Sequence, residues 1–231
     1  MGALDMRKKA STWENTSSIS CILKPVFPSI AMSHPAELWT WENCKDKIKT
    51  LPGKNGFSDN PVISFLGFNL DTKTGKILDT FSGEAVESNA KSYRSITHTI
   101  FYVLSAYSDA QDKLPTGKPI TSKQLRGNHF VCRGYTGETI TLVNHFASNP
   151  DKLVQAVEVF EGEKTDFQFG DLAVKVDVLP RVPITIVMSL ADEEFPAEAR
   201  IYFDETLENY LDSEQTYFMI HLMVKRLIEL A

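Results

Sequence analysis

The sequence predicts an α+β fold: an antiparallel sheet, made of a hairpin and a C-terminal three-stranded meander, packed with helices. Three observations carry this. Strand-like alternation is concentrated between Leu172 and Phe203, helical periodicity stands apart from it in Ile96–Tyr107 and Tyr217–Ile228, and no βαβ unit repeats. Short connections between the three C-terminal strands favour antiparallel neighbours.

In the first of these strands Leu172, Val174, Val176 and Val178 alternate with Ala173, Lys175 and Asp177, which gives one buried and one wet face. Pro180 and Pro183 bracket Arg181, so this is a corner where one strand stops. Val182, Ile184, Ile186, Met188 and Leu190 form an apolar face, and Ala199, Ile201 and Phe203 begin a third alternation. The loop ADEEFPAE, Ala191 to Glu198, joins the last two strands.

Upstream, residues 1–33 read as a leader without sustained period, and residues 34–231 as one domain. Ser33 and Pro35 suit a helix start whose buried face holds Leu38, Trp41 and Ile48. Val62–Leu70 and Lys76–Phe81 flank DTKTG and read as one hairpin, with Gly75 closing the loop. In Lys91–Tyr107 a helical stripe of Tyr93, Ile96, Ile100, Phe101, Leu104 and Tyr107 opposes Lys91, Arg94, Ser95, His98 and Ser105. Asp112–Arg126 is irregular, Thr139–Phe146 a short helix, and Asn149-Pro150 starts another through Phe160. Asp212 and Ser213 cap a last helix whose Tyr217, Ile220, Val224, Leu227 and Ile228 face the sheet.

Composition excludes several classes. A net charge of -6 and no basic run longer than Arg7-Lys8-Lys9 argue against a nucleic-acid surface. No apolar run approaches the ~20 residues that span a bilayer. The first residues lack the apolar core of a signal peptide. Three cysteines, Cys21, Cys44 and Cys132, have no paired spacing, which fits reduced thiols in a cytoplasm. No Walker, Rossmann, zinc-protease or nucleophile-elbow motif is present.

The candidate site residues are Arg181, Asp192, Glu193, Glu194, Phe195 and Asp204. Arg181 at a rigid corner offers a planar cationic fork for a carboxylate or phosphate, or else for an internal salt bridge to Asp171, Asp192 or Glu193. The acidic loop offers carboxylates for a hard cation or an acid–base pair, or else a solvated surface. His129, Cys132 and His145 match no zinc spacing, and no metal ligand set is assigned. His98 reads as a surface histidine and His221 as a hydrogen-bonded core one. Phe195 is expected to turn inward, so that Phe195→Ala would cost ~3 kcal/mol. One of Glu193 and Glu194 is expected to reach Arg181 or Arg200.

Phe169-Gly170-Asp171, the Leu179–Pro183 corner and the Asp192–Pro196 run resemble the C-terminal signature of the domain of unknown function 3786 family, with Phe203-Asp204 and Tyr210-Leu211 following at its spacing. The likeness covers the C-terminal two-thirds of the chain. It implies a protein typical of anaerobic bacteria and archaea, some relatives carrying a cysteine-rich iron–sulfur domain that has no counterpart among these three cysteines. Where the family often has Thr-Glu-Asp this chain reads Ser213-Glu214-Gln215. No activity comes with the resemblance. The function expected is a binding or accessory module for an anionic small molecule, a cofactor or a redox protein partner. The alternatives are a metal- or carboxylate-dependent enzyme using the acidic loop, and a structural or assembly protein.

Overall fold

The computed structural model describes residues 38–87, 95–127 and 132–231. The leader, the Ser33–Pro35 helix start, Tyr93 and His129 lie outside the described residues. The order is α1 (Trp41–Ile48), β1 (Val62–Phe65), β2 (Phe68–Asp71), β3 (Ile77–Asp79), α2 (Ile96–Asp109), β4 (Pro119–Thr121), α3 (Cys132–Phe146), α4 (Pro150–Glu158), β5 (Glu163–Lys164), β6 (Leu172–Leu179), β7 (Val182–Ser189), β8 (Glu198–Asp204) and α5 (Ser213–Glu229). The fold is α+β, with one three-stranded sheet β1-β2-β3 and one five-stranded sheet β4-β8-β7-β6-β5, both antiparallel.

The C-terminal alternation sets the register. Leu172 pairs with Met188 and Met188 with Ala199; Val174 with Ile186 and Ile186 with Ile201; Val176 with Ile184 and Ile184 with Phe203. Each row is therefore apolar across three strands, and a slip of one residue would send every one of these side chains to the outer face. All nine are buried, and each except Ala199 contributes roughly 2 kcal/mol of transfer free energy. Helix α3 packs over β8 and α4 over β6, while α5 lies against α2, α3 and α4. The corner falls between Leu179 and Val182, as expected, and Pro183 sits inside β7 opposite Asp177, beside the register shift between Asp177 and Leu179.

Several expectations change. Val62–Leu70 is not one strand but a hairpin in itself, turned at Leu66-Gly67, with DTKTG connecting β2 to β3. Helix α2 has no wet polar face: Thr97, His98, Thr99, Ser105 and Ser108 are buried together with Ile100, Leu104 and Tyr107. Covered by α1 and α5, it satisfies hydroxyls internally, as where Ser108 Oγ donates to Ser105 O at 2.8 Å. Leu38 is exposed, and Cys44 joins Ile48 as the buried side of α1. Helix α3 also begins earlier than the Thr139 start expected for it, and Asp112–Arg126 contains β4 and a short 3₁₀ turn, Ser122–Gln124.

Candidate functional site at the two ends of the meander

The candidate residues fall into two groups at opposite ends of β7, a strand of eight residues and so roughly 25 Å long. At the corner end, Pro180 and Arg181 form a two-residue turn between Leu179 and Val182. The Arg181 amide donates to Tyr107 Oη (3.0 Å), whose hydroxyl donates to Asn55 O (2.7 Å). The guanidinium closes on Asp112, Nε to Oδ1 at 2.8 Å and Nη2 to Oδ2 at 3.3 Å. That hydrogen bond, more than the charge alone, holds the Asp112 carboxyl below the usual range. The internal partner of Arg181 is thus Asp112, not Asp171, Asp192 or Glu193, the last two lying at the far end of the strand.

Asp204 serves the same segment. Its buried carboxylate accepts from Thr206 Oγ1 (2.7 Å), Thr206 N (3.0 Å), Gly117 N (2.6 Å) and Thr116 N (3.2 Å). Burial pushes its pKa up, but these donors together outweigh burial and the net shift is downward. Tyr210, stacked on Tyr107 with ring centroids 5.0 Å apart, accepts from Lys113 N and donates to Lys113 O, both at 2.6 Å. Asn209 donates to Gln111 O (2.7 Å), and Lys118 pairs with Glu205 (2.8 Å). Arg181, Asp204 and Tyr210, spread over the β6–β7 turn, the end of β8 and the turn after it, therefore converge on one extended connection, residues 110–118. Leu114 in its middle is 67% exposed.

At the other end, Asp192 is turned onto its own loop. Its Oδ1 accepts from Glu194 N (2.8 Å) and Phe195 N (2.7 Å), and its amide donates to Phe195 O (3.0 Å). Those two backbone donors, Phe195 first, lower the Asp192 pKa. Asp171 joins the FGD segment to this loop: its Oδ2 accepts from Leu190 N (2.7 Å) and its amide donates to Met188 O (2.9 Å). Gly170 is required there, since at φ +86° an added Cβ would stand 2.5 Å from Val187 Cγ1. Phe169 and Phe167 then lie on the outer sheet face against Tyr202, with ring centroids 5.8 and 4.7 Å from it.

Two expectations about this loop are overturned. Phe195 does not turn inward; it is 66% exposed. Arg200 pairs with Glu198 of its own strand, at 3.0 and 2.9 Å, rather than with Glu193 or Glu194, which face water. The Asp192 turn fixes the path of the chain and leaves the phenyl ring outside. Phe195→Ala is accordingly expected to change the free energy of unfolding by less than about 0.5 kcal/mol, as at other surface positions. Urea denaturation checks this.

Sequence reasoning missed two pairings. Arg226 lies on the buried side of α5 and grips Asp79 with both terminal nitrogens at 2.8 Å; an arginine inside an apolar helix stripe was the visible signal. His221 Nδ1 meets Glu138 Oε1 at 2.8 Å, joining α5 to α3, though its side chain is partly exposed rather than in the core. His145 Nδ1 lies 2.9 Å from Thr141 O within α3. Among the described residues no group of three His, Cys, Asp or Glu side chains is placed to hold a metal ion, and no helix is long and apolar enough to cross a membrane.

No curated protein and no solved structure matches the chain. A family model described as a domain of unknown function, DUF3786, matches residues 77–226, more than half of the sequence and including every one of these anchors from Asp79 to Arg226; the chain belongs to that family.

Proposed function

We propose that this protein is a binding module that docks a partner protein through the tip of the β7–β8 hairpin, residues 191–197, with Phe195 as the anchor. The observation that carries this reading is a large apolar ring held outside the fold on a loop whose backbone is already locked by Asp192. An ordered loop loses little freedom on binding, and exposed aromatic anchors supply most of the energy of many interfaces.

Asp192, Glu193 and Glu194 precede Phe195 in the same exposed loop, while Glu198 is paired with Arg200. The complementary surface is an apolar pocket rimmed with lysine or arginine. A cytoplasmic redox protein with such a face fits, and the buried reduced Cys44 accords with that compartment. The alternative of an anionic small molecule at Arg181 is less supported, because Asp112 already fills the guanidinium fork.

Returning tagged protein to its native host tests the reading, with Phe195→Ser and a Glu193→Lys/Glu194→Lys double variant purified in parallel at low and high salt. A partner that accompanies the wild type and is lost from both variants, at an unchanged melting temperature, supports it. Recovery of the same partner in equal yield by Phe195→Ser removes the anchor role. Loss in high salt of a partner that tolerates the lysine substitutions assigns the contact to a different charged surface.

A further inference from the structure

A recess of about 470 Å³ lies between the β1–β2 hairpin, the end of α4 and the last residues of β6, reaching Leu179 and Pro180 at the corner end of the meander and lying far from the Phe195 loop. Its size falls within the ~300–1,000 Å³ typical of small-molecule pockets. Phe65, Leu66, Phe160 and Leu179 supply apolar wall, and Asp177 and Glu161 supply carboxylates. No lysine, arginine or histidine lines it.

Two independent features show that these side chains are held there against local preference. Leu66 and Glu161 have φ of +46° and +59°, positions that suit glycine, and they are two of the three non-glycine residues with positive φ among the described residues. Leu66 shares its turn with Gly67, itself at φ +73°, and Glu161 is followed by Gly162. Such strain clusters at ligand sites. The register shift in β6 falls beside Asp177, and bulges of this kind re-aim side chains.

Asp177 forms no ion pair among the described residues. Crowding by the surrounding protein pushes its carboxyl pKa up, Lys175 opposes this and Glu163 adds to it. Lys175, the nearest cation on the strand, is paired in register with Glu163 of β5 and does not line the recess. A carboxylate at the mouth of the recess without an ion-pair partner among the described residues, next to the apolar wall of Phe65, Phe160 and Leu179 and with no cation among the lining residues, is complementary to a positive charge on an apolar stem.

We infer that this recess binds a small organic cation: an ammonium group, seated against Asp177 and Glu161, on an apolar body covered by Phe65, Phe160 and Leu179. The inference stands apart from docking through Phe195.

The test titrates isotope-labelled full-length protein with hexylammonium, hexanol and hexanoate, following the amide resonances of Gly67, Gly162 and Asp177. Hexylammonium is expected to shift all three saturably and hexanoate none. Asp177→Asn and Glu161→Gln, each checked for an unchanged melting temperature, are expected to weaken hexylammonium binding, with Asp177→Asn losing at least about tenfold. Phe195→Ser is expected to leave it intact, which separates this test from that of the docking tip. Equal affinity for hexanol and hexylammonium, or full affinity in both carboxamide variants, overturns the assignment.

Discussion

Arg226→Met is expected to lower the unfolding free energy by about 4 kcal/mol, the scale for breaking one side of a buried ion pair. Arg226 is 2% exposed. Its guanidinium donates to both oxygens of Asp79, to Leu66 O (3.2 Å) and to Glu229 (2.7 Å), and lies 4.4 and 4.1 Å from the ring centroids of Phe68 and Phe81. One side chain thus fastens α5 to the whole three-stranded sheet, including the Leu66-Gly67 turn. Methionine fills comparable volume but leaves the Asp79 carboxylate with little compensation. The double variant Arg226→Met/Asp79→Asn separates the two contributions: it is expected to recover part of the loss, because no buried charge is left unpaired. No recovery would mean that the fastening depends on the Leu66 carbonyl and the two rings. Urea denaturation of the three proteins measures this.

The same pair makes a pH prediction. Burial raises the Asp79 pKa, but the Arg226 hydrogen bonds, the Phe81 amide and the Arg226 charge together bring it below its ordinary value. A carboxyl whose folded pKa is depressed adds stability that is present above the unfolded value of ~3.9 and is lost as pH falls through the folded one. Wild-type protein is therefore expected to lose stability below about pH 4 more steeply than Asp79→Asn.

The parts of this fold legible in sequence are those set by local periodicity. Leu172–Val178 and Val182–Met188 alternate strictly enough that their apolar residues meet across the sheet in the observed register. The β1–β2 hairpin was hidden because Leu66 occupies a left-handed turn position where asparagine or glycine would have signalled it. The polar side of α2 was misread because a helical stripe says which face is apolar, not whether neighbours also cover the other one. Phe195 was placed inside on its residue type, whereas the loop is shaped by the Asp192 side chain bonding to the backbone two and three residues on. The partner of Arg181 lies 69 residues away in sequence, beyond any local reading. Arg181, Asp204 and Tyr210 were visible among the residues that gave the family resemblance, but not their common target, the 110–118 connection.

That target makes Asp204 the second position where a large effect is expected. The residue is 6% exposed, and its carboxylate gathers amide and hydroxyl donors from Thr116, Gly117 and Thr206, linking the end of β8 to the segment entering β4. Asp204→Ala is expected to cost about 3 kcal/mol, since each hydrogen bond to a charged group contributes ~1.5–3 and water can replace some of them. Asp204→Asn keeps one acceptor oxygen and should lose less. The net downward pKa shift again places the stabilisation above ~3.9, fading as pH falls through the folded value. A local readout distinguishes loop release from general loss of stability. The connection contains one bond open to trypsin, Lys113–Leu114, because Lys118 precedes Pro119. Under native conditions Asp204→Ala should be cut there faster than Arg226→Met, even though the latter is less stable overall. If both are cut at rates ordered by their global stabilities, Asp204 acts on the fold as a whole; if Asp204→Ala is cut no faster than wild type, Arg181 and Tyr210 suffice to hold the segment.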